Sequence, residues 1–326
     1  MLIVTNGDCA AERIERIGLP AEVLSWGDVL HEGPVPAGLS PDELREVRAR
    51  FLAGRGWAGL EETAENFARR DATLDSFGEH DEVVLWFEHD LYDQLQLVQI
   101  LDRFEGRDLG TTRLTLVCAD EYLGTLEPDR LRAMYRERRE VSKEWLDLGR
   151  EGWETFRSPD PTRILALLSR DMSALPFLAG ALFRHLEQFP STKNGLSRSE
   201  EQALEAVSDG ATVLHEAFVA SHQEREVPIF LADTVFASYL EDLSAAREPL
   251  VLLESGETIR TTRGDEDPTE YWGQRATVTA TGRDVLRGAK DRIELNGIDR
   301  WLGGVHLDDA NTWRWDGSAR KLRRAV

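Results

Sequence analysis

Four apolar runs of this chain each lead into acidic residues. Leu2 to Val4 runs toward Asp8, Ala21 to Trp26 toward Asp28, Glu82 to Phe87 into Glu88-His89-Asp90, and Leu114 to Cys118 into Asp120-Glu121. If the runs are parallel strands, these groups share the carboxyl edge of one sheet, where open α/β sheets bind ligands. Carboxylates gathered there repel one another, and a divalent cation such as magnesium or manganese removes the repulsion through oxygen ligands. Asp8, Asp28, Glu88 and Asp90 are therefore the candidate metal ligands, and Glu32, close behind Asp28, is a possible addition. His89 titrates near neutral pH, which makes Asp8, His89 and Asp90 the candidate catalytic set. A cation so held would activate a water or position a phosphate, the chemistry of a metal-dependent hydrolase or phosphotransfer enzyme.

Each feature also has a plainer explanation. Asp8 and Asp90 stand at strand-to-helix junctions, where aspartate caps helices. Gly33-Pro34 interrupts any helix after Asp28, so capping explains that residue poorly. Asn6 and Gly7 could form an anion-binding turn at a helix N-terminus, as candidate cofactor-binding residues. G-x-x-x-x-G-K-[ST] does not occur, and no G-x-G-x-x-G directly follows any of the four apolar runs, which disfavours standard nucleotide binding. Cys9 and Cys118 read as small thiols rather than nucleophiles, and no G-x-S-x-G elbow is present. His306 sits in an aromatic stretch and reads as structural.

The elements that must hold these residues follow from periodicity. Strands alternate with helices through residues 1–125, including a helix over Pro41 to Leu52 capped by Ser40, another over Leu60 to Leu74, and a stripe at Leu91, Leu95, Val98 and Leu101. That alternation predicts a Rossmann-like parallel sheet domain. Residues 126–195 read as a helical connector ending in the turn-rich Phe189 to Gly195. Residues 196–326 read as a winged-helix-like α+β domain. Ser197 and Glu200 form a capping box, two more helices follow, and Leu250 to Leu253 and Ala276 to Thr279 form a hairpin. Gly282 to Leu286 is expected to turn the chain away, and an aromatic hairpin from Trp301 to Trp315 closes the domain.

The charge argues against nucleic acid. Sixty acidic against 39 basic residues leave a net charge of −21, and both halves, split at residue 190, stay acidic. Phosphate backbones need a basic surface. The expected third helix offers Asp233, Ser238, Glu241 and Asp242, and the expected wing mixes Arg260, Arg263 and Arg275 with Glu254, Glu257, Asp265, Glu266, Asp267 and Glu270. Tyr271-Trp272 is expected to be an exposed protein contact. No run is long and apolar enough for a membrane span, no signal peptide is evident, and two cysteines suit a reducing cytoplasm.

Thr5-Asn6-Gly7-Asp8, Trp26 to Pro34 and Trp86 to Leu91 together resemble the bacterial domain-of-unknown-function family numbered 1835. Phe189 to Ser197, Arg300 to Leu307 and Trp313 to Asp316 resemble the C-terminal part of its longer members. The resemblance implies an architecture over nearly the whole chain and no activity. The alternative to an enzyme is a non-enzymatic regulator or adaptor that senses a small molecule and binds a protein partner through its winged helix, with DNA the weaker choice.

Overall fold

Leu2–Thr5 forms strand β1, buried at all of its positions. The computed structural model describes residues 1–262 and 267–324. Helix α1 (Asp8–Arg16) follows, then β2 (Glu22–Ser25), the short β3 (Gly33–Pro34), α2 (Pro41–Gly54) and α3 (Leu60–Asp75). Ser40 caps α2, its hydroxyl accepting from the Glu43 N–H while its own N–H donates to the Glu43 carboxylate. Strand β4 (Glu82–Phe87) is buried along its whole length, as its unbroken apolar run requires. Helix α4 (Leu91–Phe104), β5 (Arg113–Cys118), α5 (Pro128–Arg136), β6 (Arg139–Glu140), α6 (Lys143–Phe156), α7 (Thr162–Leu168) and α8 (Leu178–Leu186) complete this part.

The chain divides into two units. The first is Met1–Arg50, Leu60–Phe183 and Gly303–Val305; the second is Phe51–Gly59, Arg184–Leu302 and His306–Val326. In the first unit one mixed sheet runs β2-β1-β4-β5-β6. Its first four strands are parallel, and β6 pairs antiparallel with β5. Residues 126–195 are thus not all helix, and residues 126–183 belong to the sheet's own unit instead of standing apart. Ile3, Val84, Trp86 and Val117 face α1 and α5, where Ile14, Leu131 and Met134 complete a core.

Helix α4 packs closely on α6 because α6 carries glycines at the contact. A Cβ on Gly149 would fall on Leu101, and one on Gly152 would lie 3.2 Å from Val98 Cγ1.

In the second unit α9 (Arg198–Ser208) carries the expected capping box. Helix α10 (Leu214–Phe218) runs on as a π-helical turn (Val219–Gln223), and α11 (Asp233–Ser244) follows. Strand β7 (Val251–Leu253), α12 (Pro268–Gly273) and β8 (Ala276–Val278) come next; β7 and β8 pair antiparallel, and a bridge joins Val213 to Arg275. The expected turn at Gly282 is instead α13 (Ala280–Leu286), because Thr279 caps it by accepting from the Gly282 N–H. Helix α14 (Arg292–Asn296) and strands β9 (Arg300–Gly303), β10 (Val305–Leu307), β11 (Trp313–Asp316) and β12 (Lys321–Arg324) end the chain, with β11 and β12 antiparallel. Tyr271 is 2% exposed, so the expected Tyr271-Trp272 contact surface loses its first member to the core. Arg263, Asp265 and Glu266 of the expected wing lie outside the described residues. No helix among the described residues is long and apolar enough to cross a membrane.

Gly149→Ala should destabilise the protein by about 1–3 kcal/mol, because the added methyl overpacks α4 against α6. Urea unfolding of the variant checks this; an unchanged midpoint would mean that the two helices part at no cost.

Candidate functional site

The parallel register builds the site. Thr5 stands opposite Ser25 on one side and Trp86 on the other, while Phe87 stands opposite Cys118. Asn6, Trp26, Glu88 and Ala119 therefore leave the sheet along one edge. From β1 the chain moves outward to β2, then returns to lay β4 on the other side of β1. The strand order reverses between β1 and β4, and connections that leave in opposite directions open a crevice there.

Glu88, Asp90 and Asp93 gather at this point. Each offers a carboxylate oxygen within 4.8 Å of the others, and all three are buried. Asp93 is held hardest: Asn6 Nδ2 donates to its Oδ2 at 2.8 Å and the Glu88 N–H to its Oδ1 at 2.6 Å. The Leu123 N–H donates to Glu88 Oε1 at 2.8 Å. Asp90 caps α4, accepting from the Asp93 N–H at 3.1 Å. Gln94 Nε2 donates to the Glu88 carbonyl at 2.6 Å, and the Tyr92 hydroxyl to that of Asn6 at 3.1 Å.

Burial disfavours the charged forms, and no basic side chain among the described residues offsets it. Burial raises Glu88 and Asp90 to about 7, with the Glu88 charge adding to the rise at Asp90. Asp93 is lifted well above the usual carboxylate range, by burial first and then by the charges of Asp90 and Glu88. Buried carboxyl groups this close can share protons with one another or give them up to a cation.

The four expected metal ligands do not all meet. Glu88 and Asp90 come together, joined by Asp93, whereas Asp8 and Asp28 are outside the grouping. Asp8 is exposed in the first turn of α1, where it faces the helix dipole; the cap position is Gly7, with no side-chain cap bond. Asp28 is 1% exposed and is spent on Arg48, whose Nη2 lies 2.9 Å from its Oδ1. Arg48 also donates to the carbonyls of Glu32 (2.6 Å) and Val29 (2.8 Å), so it ties the Asp28–Pro34 loop together. Glu32 is likewise buried outside the grouping. Asp120 is exposed, and Glu121 pairs with Arg130 at 2.6 Å.

The anion-turn expectation for Asn6 and Gly7 also changes. Asn6 points its amide at Asp93, and Gly7 has φ −169°, an extended conformation open to any residue. His89 packs tilted against Tyr122 and edge-on against Phe177, with ring centroids 5.2 and 5.7 Å away. Burial lowers its pKa, against an opposing pull from Asp120, so the ring is neutral at neutral pH. Its Nδ1 has no hydrogen-bond partner among the described residues. Asp93 was missed by sequence reasoning. Its signal was the Asp90-to-Asp93 spacing, which puts both carboxyl groups in the first turn of one helix.

No family model matches the chain, and no curated protein does either.

Replacing Arg48 with Met would leave Asp28 buried and unpaired, and should cost about 3–5 kcal/mol in urea unfolding. A loss below about 1 kcal/mol would show that the pair contributes little.

The triad also predicts a pH dependence. In the native state Glu88 and Asp90 keep their protons up to about pH 7, whereas unfolded carboxyl groups release theirs near 4. Between those values the folded protein binds more protons, so in the presence of a chelator its stability should fall as pH rises from about 5 to 8. The decline should flatten in Glu88→Gln. A midpoint that climbs with pH equally in both proteins contradicts the assignment.

Proposed function

We propose that the first unit is a divalent-cation-dependent hydrolase or phosphotransfer enzyme whose cation ligands are Glu88, Asp90 and Asp93. One observation carries the reading: three buried carboxyl groups within 4.8 Å of one another, at the reversal of strand order, with no basic side chain among the described residues to balance them. Oxygen ligands of this kind suit magnesium or manganese. Such a cation would supply a polarised water or an electrophile for a phosphoryl or carbonyl oxygen. Asn6 and the N–H groups of Glu88 and Leu123 orient the carboxylates, leaving the other lone pairs to the ion. His89, neutral at neutral pH, is able to accept a proton. A cytoplasmic setting fits the two unpaired cysteines, Cys9 and Cys118. The resemblance to the family numbered 1835 is carried by the quoted motifs.

A second reading, a non-enzymatic regulator or adaptor, has its own support in the second unit. Three helices, an antiparallel pair and the Val213–Arg275 bridge follow winged-helix order. A protein partner suits this unit better than DNA. Ser238 of α11 is buried and accepts from Trp57 Nε1 at 2.8 Å, Asp242 pairs with Arg55, and Tyr239 accepts from Gln188, so α11 has little free face for a groove.

Calorimetry of the full chain with manganese chloride tests the first reading. One site is expected, tighter at about pH 8 than at about pH 6 because bound protons compete. Asp93→Asn should weaken it by about tenfold or more, with the circular dichroism spectrum retained. Absence of a binding heat at either pH would remove the cation and the enzyme with it.

A further inference from the structure

A cavity in the first unit, of about 250 Å³, has none of the triad carboxylates in its walls. Five arginines line it: Arg45 and Arg48 from α2, Arg70 from α3, Arg103 from α4, and Arg157 just past α6. Three aspartates oppose them. Such a concentration of guanidinium groups runs against a chain whose net charge is −21.

The three carboxylates do not occupy every guanidinium N–H group. Asp28 is committed to Arg48. Asp71, 3% exposed, serves three guanidinium groups at once, with Arg45 at 3.2 Å, Arg70 at 3.1 Å and Arg103 at 2.9 Å. Asp42 and Asp75 hold Arg45 and Arg103 from the more exposed side. Arg157 has no carboxylate within 4.0 Å among the described residues; it donates to the Pro36 carbonyl at 2.7 Å and the Leu39 carbonyl at 3.3 Å. The facing carboxyl, Asp102, is pushed up to about 6 by burial. Arg103 Nε is buried without a hydrogen-bond partner among the described residues. Arg70 lies over the rings of Trp26 and Phe67, at 4.0 and 4.3 Å, so its guanidinium plane is fixed before any ligand arrives. Desolvated cations with N–H groups to spare are costly unless an anion completes them.

We infer that this cavity binds a phosphoryl group, either free phosphate or a small phosphomonoester. Guanidinium forks match phosphate oxygens in pairs, and a phosphoryl group offers enough oxygens to serve several of them at once. The volume lies below that of pockets for drug-sized ligands, so the rest of the molecule must be small. Trp153 in the wall offers an apolar surface to an ester group. The inference does not rest on the cation reading.

Calorimetry of the full chain at constant ionic strength, with sodium phosphate and with phenyl phosphate, tests it. One-site binding is expected, weakened about tenfold each by Arg45→Gln and Arg157→Gln. Arg45 is partly exposed, so its variant should keep the fold even if Arg157→Gln does not. Both variants should still bind manganese if the triad does, which separates failure of one site from failure of the other. Tighter binding of phenyl phosphate supports a phosphomonoester, and equal binding supports free phosphate. If neither probe binds at millimolar concentration, or if Arg45→Gln and a folded Arg157→Gln bind as the parent does, the inference is overturned.

Discussion

The first unit is organised by the cost of burying carboxyl groups where β1 and β4 part. Removing an ionised carboxylate from water is expensive unless hydrogen bonds or an opposite charge replace the solvent. Here the replacement comes from one amide side chain and several backbone N–H groups, and these donors exist only if the surrounding structure is in place. Asn6 must end β1, Glu88 must end β4, and α4 must start at once so that Asp93 turns back toward both. The unbroken apolar run of β4 secures this order, because every position of the strand is buried and a slip of register would take Glu82 from Arg138 and Glu88 from the Leu123 N–H.

Charge is sorted rather than mixed in this unit. The acidic excess of the chain is largely on its surface, the carboxyl triad stands without basic partners among the described residues, and arginines meet around Asp71 and Asp28. Arg48 shows how a buried cation is kept at acceptable cost: a carboxylate takes two of its nitrogens and loop carbonyls take the rest. The loop from Asp28 to Pro34 has little regular structure of its own, so this one side chain substitutes for a ladder of backbone bonds.

The second unit solves the same problem differently. Arg184 donates to Glu226, Gln188 and Ser199, all buried, and Gln188 in turn takes its amide to Tyr239. Two buried histidines, His185 and His222, are driven down to about 3 by burial, so they stay neutral and add no charge to this network. The network ties α8, α9 and α11 to the segment before α11, and it leaves α11 occupied by its own unit.

Local pattern was enough for much of this. The run Glu82–Phe87, the stripe from Leu91 to Leu101 and the capping box at Ser197 and Glu200 each report a periodicity or a cap that depends on near neighbours, and each element formed where its pattern lay. That acidic residues follow the strands was equally plain. Which of them meet was not, because that depends on strand order and helix phase. Asp28 found Arg48, twenty positions along the chain, and left the expected set; Asp93 entered it only because one helical turn carries it back over Asp90. The edge strand β6 and the arginine cavity were hidden for the same reason: their members come from separate elements, and only the packing of α2, α3, α4 and α6 brings such distant charges within reach of one another.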